Sequence, residues 1–266
     1  MRILRLWIPF TLFLLFSSCS STPVTGNKAL LLIPEGEELA MGMQAWNDIK
    51  SKERETRNTR LKSMVAEVGR NISAVANRAD FQWEVRTFES TTPNAFCLPG
   101  GKIGIYTGIL PYAQNEAGLA AVMGHEVGHA IARHGGQRMS QQLVTNIGMV
   151  ALGVAAFSKM EPGKRNLLMA AIGAGVTVGV MLPYSRSHEL EADEIGLVLM
   201  AQAGYDPREA VRFWERFSQA GGKAPPEFLS THPNSSKRAE KLRAMLPQAM
   251  EIYQRAPRKI GLGNNF

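Results

Sequence analysis

The sequence predicts an α+β fold that is mainly helical, with a small antiparallel β-sheet. Several long stretches repeat apolar residues at helical spacing, and two short stretches alternate apolar and polar residues as strands do. The 266 residues contain no internal repeat and no shift in composition. Because a chain of this length can bury one sizeable core, we expect a single folded domain behind a short N-terminal leader.

The first residues resemble a bacterial secretory leader. A basic start and an apolar run precede Cys19 in a lipobox-like sequence, which predicts a lipoprotein signal peptide over residues 1–18. Cys19 would then be lipidated, with residues 19–30 as a polar tether. Phe16 replaces the usual aliphatic lipobox residue, so ordinary secretion is the alternative. Ser20 after the cysteine favours an outer-membrane lipoprotein that faces the periplasm.

Helical spacing recurs in six stretches of the chain. They are residues 37–49, 61–75, 115–134, 185–203, 207–219 and 235–245. Two strands are expected at residues 81–88 and 101–107, joined by residues 93–101. The last ten residues, 257–266, look like a loose, flexible tail.

Two apolar runs lie in the middle of the chain, at residues 143–157 and 167–182. Each is shorter than the roughly 20 residues that a membrane-spanning helix needs. We therefore expect residues 143–182 to form a helical hairpin that packs on the domain or lies against a membrane. A true transmembrane pair is the alternative.

The strongest motif is H-E-x-x-H, formed by His125, Glu126 and His129 in the helix predicted for residues 115–134. Two histidines four residues apart share one helix face and can bind one zinc ion, with the glutamate between them as a base. The alternative is a helix with two surface histidines. Small residues such as Gly128 around the histidine face argue against it, because they leave room for an ion and for close packing.

A zinc ion held by two histidines needs a third protein ligand. In the helix predicted for residues 185–203, Glu189 and Asp193 are four residues apart and share a face, whereas Glu191 projects to the opposite side. We interpret Glu189 as the ligand and Asp193 as the carboxylate that orients a ligating histidine. The alternative is a solvated acidic start of a helix.

Four separated motifs together resemble one family of zinc metallopeptidases. It includes the heat-shock protease HtpX, the CAAX prenyl endopeptidase and the mitochondrial Oma-type protease, and its periplasmic lipoprotein members are closest in length and layout. The motifs are H-E-x-x-H with His134 five residues later, S-R-x-x-E-x-x-A-D over residues 185–193, N-A-F-x-L-P-G-G over residues 94–101, and Thr231-His232-Pro233 with Arg238 behind it.

The resemblance implies a gluzincin-type fold and one zinc ion per chain, bound by His125, His129 and Glu189, with Glu126 in catalysis. It implies a functional Asp193, and Arg186 in the same segment is our candidate for a further residue behind the ligands. His232 is a candidate catalytic residue in either of two roles, as a donor to the oxyanion or as a histidine that closes the zinc site at rest. Arg238 would orient His232 or a substrate carbonyl, or face solvent.

A substrate site is expected at the strands. An unpaired sheet edge can bind a peptide as an additional strand through main-chain hydrogen bonds, and we expect Asn94, Ala95 and Phe96 to contribute to it. Such binding suits an endopeptidase that acts on unfolded or extended polypeptide. An ordinary core hairpin is the alternative.

Charge and cysteine content limit the other partners. The formal net charge is +7, and loss of Arg2 and Arg5 with the leader lowers it by two, so we expect no nucleic-acid partner. With Cys19 acylated, Cys97 is the only thiol, so no disulfide can form within the chain. The expected partners are envelope polypeptides as substrates and outer-membrane lipid through Cys19.

Two functions remain from the sequence. The first is a zinc endopeptidase of the cell envelope that hydrolyses unfolded or misassembled proteins, with Glu126 as the general base. The second is a non-proteolytic or latent zinc lipoprotein that acts as a chaperone or assembly factor for outer-membrane proteins. A structural zinc site has no need of a base at Glu126.

Overall fold

The computed structural model describes residues 19–22, 24–157, 182–219, 232 and 236–266. The predicted signal peptide, residues 158–181 of the predicted apolar hairpin, and the neighbours of His232 in its motif lie outside the described residues.

The described residues are mainly helical, as predicted. In chain order the elements are β1 (Cys19–Ser21), β2 (Lys28–Leu30), α1 (Glu35–Lys52), α2 (Thr59–Val75), β3 (Glu84–Phe88), β4 (Ala95–Leu98), β5 (Lys102–Tyr106), a 3-10 turn (Thr107–Ile109), α3 (Leu110–Ala113), α4 (Glu116–Ile131), α5 (His134–Phe157), α6 (Leu182–Gln202), α7 (Arg208–Gln219) and α8 (Ser236–Arg255).

The three-stranded sheet is mixed, and the prediction of an antiparallel sheet was wrong. Its order is β3-β5-β4, with β3 parallel and β4 antiparallel to β5. The segment expected to join the two strands forms β4 itself. Gly100 and Gly101 have φ values of +88° and +81°, which allow a tight turn that folds β5 back along β4. Strand β3 is therefore left to pair with the other side of β5.

The helix that carries the H-E-x-x-H motif, α4, lies at the centre of the domain and is buried along all its residues. Asn115 caps its start, as predicted, by accepting a hydrogen bond from the Gly118 amide at 2.9 Å. Its closest neighbour is α6. A β-carbon added to Gly124 would lie 2.8 Å from the Gly196 carbonyl oxygen, and one added to Gly128 would lie 2.9 Å from that of Ala192. Glycine at these positions is what allows the two helices to approach so closely.

Helix α4 ends at Ile131, three residues earlier than predicted. Arg133 has a φ of +56°, which breaks the helix, and α5 starts at His134. The break turns the chain and lets the ring of His134 lie against that of His129. The first predicted apolar run continues on α5, with Leu143, Val144 and Ile147 exposed.

Both ends of the described chain pack on the domain. Strands β1 and β2 form an antiparallel hairpin with Cys19 opposite Leu30, so the segment expected as a tether is a paired hairpin. The C-terminal residues are not loose: the Glu116 and Ala117 amides at the start of α4 donate to the carbonyls of Asn264 and Leu262, each at 3.0 Å. These amides have no partner within their own helix, so the C-terminal segment satisfies them instead.

Two further helix ends differ from prediction. Helix α6 starts at Leu182 and ends before Gly204, whose φ is +86° as expected for a glycine after a helix. Helix α8 continues to Arg255, with Pro247 inside it. Within the described ranges, none of the helices combines the length and hydrophobicity needed to cross a bilayer.

Candidate metal centre

Four side chains from three parts of the chain converge at one point. His125, His129, Glu189 and His232 each direct one donor atom to it, and these atoms all lie within 4.8 Å of one another. The Nε2 of His125 lies 3.2 Å from Nε2 of His129 and 3.2 Å from Nδ1 of His232. Glu189 completes the group, with its Oε2 at 3.1 Å from Nδ1 of His232 and its Oε1 at 3.3 Å from Nε2 of His129.

The donor set fits a zinc ion. Zinc prefers nitrogen and oxygen donors in a tetrahedron at about 2.0–2.1 Å, which places neighbouring donors about 3.3 Å apart. The four distances given above, 3.1–3.3 Å, are close to this edge length. Three imidazoles and one carboxylate are also ligands that zinc commonly takes.

Glu126 lies beside the four donors and is buried. Its Oε1 is 3.3 Å from Nε2 of His232 and accepts no hydrogen bond from any described residue. Burial raises the pKa of Glu126, although the nearby His232 and His125 act in the opposite direction. The carboxylate is thus placed to exchange a proton close to the metal position.

A buried ion pair supports His125. Nδ1 of His125 lies 2.9 Å from Oδ1 of Asp193, and Arg238 donates to both Asp193 oxygens at 2.7 Å. Burial raises the pKa of Asp193, but the charge and hydrogen bonds of Arg238 outweigh it and lower the pKa to about 2. The guanidinium also lies 3.9 Å above the Trp214 ring and 3.1 Å from Oε2 of Glu189.

A second series of side-chain contacts supports His129. Its Nδ1 lies 2.8 Å from Nδ1 of His134, whose Nε2 lies 3.2 Å from Oε2 of Glu191. His134 also stacks on His188 with ring centroids 4.1 Å apart. Each H-E-x-x-H histidine therefore has its outer nitrogen fixed by protein groups, which is typical of metal-ligating histidines.

The charges of Glu189 and His129 suit a cation. Burial raises the pKa of Glu189, but hydrogen bonds from His125, His129 and His232 outweigh it and hold the pKa well below its usual range. Burial lowers the pKa of His129 well below its usual value. A charged carboxylate and a neutral imidazole are the forms that bind metals.

Of the predicted substrate residues, Ala95 and Phe96 lie in β4 and Asn94 directly precedes it; this strand packs on α4. Strand β4 is an edge strand, since among the described strands it pairs only with β5. Burial and the charge of Glu126 both raise the pKa of the Cys97 thiol on this strand. The Phe96 ring packs inward on Gly104, between Trp46 and Tyr106, so this residue can offer its backbone but not its ring to a substrate.

Some site residues differ from the sequence interpretation. Arg186 is exposed at the start of α6, and the cation that contacts the site carboxylates is Arg238. Glu191 projects away from Glu189, as predicted, yet it is buried and contacts His134. Trp214 was also missed. Helical spacing gives the direction in which a side chain projects, but not the element that it will contact. The only sequence signal for a role of Glu191 was the high density of acidic residues that follows His188.

The sequence of this chain is similar to those of known proteins. The sequence profile of Peptidase family M48 matches residues 55–246, which include the four donors and Glu126. The mitochondrial metalloendopeptidase OMA1 of Schizosaccharomyces pombe is 39% identical over 187 residues, covering 70% of this chain and 53% of that protein.

Two more distant relatives cover more of the chain. The human mitochondrial metalloendopeptidase OMA1 is 29% identical over 252 residues, covering 90% of this chain and 48% of that protein. The beta-barrel assembly-enhancing protease of Escherichia coli K12 is 26% identical over 262 residues, covering 93% and 53% respectively. The chain thus spans about half the length of these relatives.

Proposed function

The chain belongs to Peptidase family M48, and we propose that it is a zinc-dependent endopeptidase of the bacterial cell envelope that hydrolyses unfolded or misassembled proteins. The observation that carries the proposal is the convergence of His125, His129, Glu189 and His232 beside the buried carboxylate of Glu126. A ligand set with a base next to it is the arrangement that metal-assisted hydrolysis requires.

Zinc bound at this position supplies Lewis acidity, which lowers the pKa of water to about 7 and polarises a carbonyl group. Glu126 takes the proton of the attacking water and passes it to the amine that leaves. Its raised pKa suits this shuttle, because a carboxyl that titrates closer to neutrality both accepts and releases a proton readily. Asp193 and Arg238 hold His125 in place during these steps.

His232 closes the site at rest in this proposal. Its Nδ1 lies among the metal donors and its Nε2 faces Glu126, so it fills the position that a catalytic site leaves to water. Substrate hydrolysis therefore requires His232 to leave that position. Its other candidate role, donating to the oxyanion, would apply only after it has moved.

The edge of β4 receives the substrate. An extended peptide that pairs there adds a strand to the sheet through backbone hydrogen bonds, which do not depend on side-chain identity. The contact of β4 with α4 brings such a peptide close to Glu126. A site of this kind favours unfolded segments, since folded proteins have few free extended backbones.

The N-terminal sequence is the basis for assigning the compartment. The leader and Cys19 favour a lipoprotein at the periplasmic face of the outer membrane. The printed name of the Escherichia coli relative refers to β-barrel assembly, which agrees with envelope substrates, whereas the relatives named OMA1 are mitochondrial.

A second function is favoured by the position of His232. Four protein donors without an open position are typical of structural zinc sites. A latent or non-proteolytic lipoprotein that assists the assembly of outer-membrane proteins would have such a closed site. The buried Glu126 oxygen, which accepts no hydrogen bond from the part of the chain that the structure describes, favours the peptidase, because a structural site gains nothing from it.

Hydrolysis of unfolded casein tests the proposal. We would compare the mature chain without its lipid with the Glu126→Gln variant, and determine the zinc content of both. We expect one zinc ion in each and cleavage by the wild type alone. Equal cleavage by the two proteins would overturn the role of Glu126, and bound zinc without cleavage, even after His232→Ala, would favour the assembly function.

A further inference from the structure

The N-terminal hairpin, formed by β1 and β2, contacts Glu191, which supports His129 through His134. Thr22 and Thr25 lie at its turn, and both hydroxyls donate to Oε1 of Glu191, that of Thr22 at 2.5 Å. Thr22 and Glu191 are both buried, with exposed fractions of 6% and 7%. The hydroxyls also lie 2.7 Å from each other. The turn thus closes around one carboxylate oxygen.

The other oxygen of Glu191 is linked to the metal centre by contacts through the rings of His134 and His129. Oε2 lies 3.2 Å from Nε2 of His134, and Nδ1 of His134 lies 2.8 Å from Nδ1 of His129. When Nε2 of His129 binds a metal, its Nδ1 carries a proton and donates to His134. His134 must then accept at Nδ1 and donate from Nε2 to Glu191. Only this assignment of ring protons satisfies all the contacts.

We propose that Thr22 and Thr25 are positioning residues of the metal centre, which fix Glu191 and, through His134, the ring of His129. Glu191 carries two separate sets of donors, one on each oxygen, so its orientation is set from the hairpin side as well as from the His134 side. Outer partners of this kind orient metal ligands and raise their basicity. The proposal deepens the proposed function and rests on its zinc site.

The two H-E-x-x-H histidines are supported from different parts of the chain. Asp193, behind His125, is held by the buried Arg238 of α8. Glu191, behind His129, is held by residues that lie three and six positions after Cys19. The geometry of His129 therefore depends on whether the N-terminal hairpin is docked, whereas that of His125 does not.

Isosteric substitution in the full mature chain tests the proposal. The double variant Thr22→Val, Thr25→Val removes both hydroxyls and keeps the side-chain shape, and the matched control Thr22→Ser, Thr25→Ser keeps both hydroxyls. The zinc dissociation constant would be measured by competition with a chelator, and the visible absorption spectrum of the Co²⁺-loaded proteins would report the ligand geometry. Thermal unfolding of the metal-free proteins would report the integrity of the hairpin.

We expect the valine variant to bind zinc about tenfold more weakly, the low end of the loss caused by removing outer partners of metal ligands, and its Co²⁺ spectrum to change. The serine variant should match the wild type. Wild-type affinity and an unchanged spectrum in the valine variant would overturn the proposal, as would equal losses in both variants, which would indicate hairpin packing. A wild-type chain that binds no zinc would instead overturn the proposed function.

Discussion

At the level of single residues, His232 makes two contacts that oppose catalysis in the proposed mechanism. Its Nδ1 lies 3.1 Å from Oε2 of Glu189 within the donor group, and its Nε2 lies 3.3 Å from Glu126. In the proposed site, the same side chain completes the metal coordination and faces the base. The proposed closure then depends on one residue, which makes it easy to test.

Replacement of His232 by alanine should raise the rate of casein cleavage several-fold. Three protein donors remain, which is the usual number in catalytic zinc sites, and the fourth position becomes open to water. Initial rates would be measured at equal zinc content, because the loss of one donor also weakens zinc binding. Slower cleavage with zinc retained would mean that His232 assists the reaction instead of closing the site.

Acid should destabilise the metal-free chain through two carboxylates. The pKa of Glu191 is lowered to about 2, since hydrogen bonds from His134, Thr22 and Thr25 outweigh the opposing effect of burial, and that of Asp193 is also lowered to about 2. A carboxyl whose pKa falls on folding stabilises the protein above its ordinary pKa near 4, and this stability is lost as the pH falls towards 2.

The free energy of unfolding in urea should therefore decrease steadily from pH 6 to pH 3. The decrease should be smaller in Glu191→Gln, which no longer titrates at this position. An identical pH dependence in wild type and variant would contradict the assigned environment of Glu191.

Sequence spacing predicted three of the four donors, the base and one support, Asp193, but not the remaining supports. His125, Glu126 and His129 follow from one helical motif, and Glu189 and Asp193 from the spacing of a second. Thr22 and Glu191 could not be predicted together, because 169 residues separate them and only the folded chain brings them into contact. Glu191 was assigned to the far side of its helix, which is correct, but that side is also buried.

At the level of elements, the α4–α6 pair determines the geometry of the site. His125 and His129 lie on one helix and Glu189 on the other, so the distance between the helices sets the spacing of the donors. Gly124 and Gly128 on α4 and Gly196 on α6 keep this distance short. The glycines of the motif helix thus serve close packing, as the small residues around the histidine face indicated.

Gly128→Ala should destabilise the protein by about 1–3 kcal/mol, as overpacking in a core typically does. The added carbon would lie 2.9 Å from the Ala192 carbonyl oxygen and force α6 away, so zinc binding should also weaken. Gly135→Ala is the matched control. It lies in α5 with open space around the new carbon, and it should be neutral or stabilising by up to about 1 kcal/mol.

Urea unfolding and chelator competition would measure both effects. The account of the helix contact would be wrong if Gly128→Ala retained wild-type stability and zinc affinity.

The sheet illustrates what local patterns leave open. Alternating residues located β3 and β5 correctly, but strand direction depends on the path of the chain between them. That path contains β4, which is only four residues long and whose Phe96 is only partly buried. A strand this short carries little alternation, so the mixed topology was not evident from the sequence.

At the level of the whole molecule, both ends of the described part of the chain contact the region of the proposed site. The N-terminal hairpin contacts Glu191, and the C-terminal residues bind the start of α4. The prediction of a loose tail failed because backbone carbonyls, which carry no sequence signal, form these bonds. The side chain of Asn264 adds a bond to Glu116 at 2.8 Å.

Deletion of residues 261–266 should therefore lower stability and zinc affinity together. The loss of the two backbone hydrogen bonds from Glu116 and Ala117 costs about 1–3 kcal/mol at 0.5–1.5 kcal/mol each. Thermal unfolding of the metal-free proteins would measure the change. An unaltered midpoint would show that the C-terminal residues do not hold α4.

We propose that four side chains of this chain bind one zinc ion beside Glu126. X-ray absorption at the zinc edge of the purified wild type would measure this coordination directly. We expect one zinc ion with three imidazole nitrogens and one oxygen at about 2.0–2.1 Å, and the loss of one nitrogen in His232→Ala. A zinc shell without imidazole, or one that His232→Ala leaves unchanged, would contradict it.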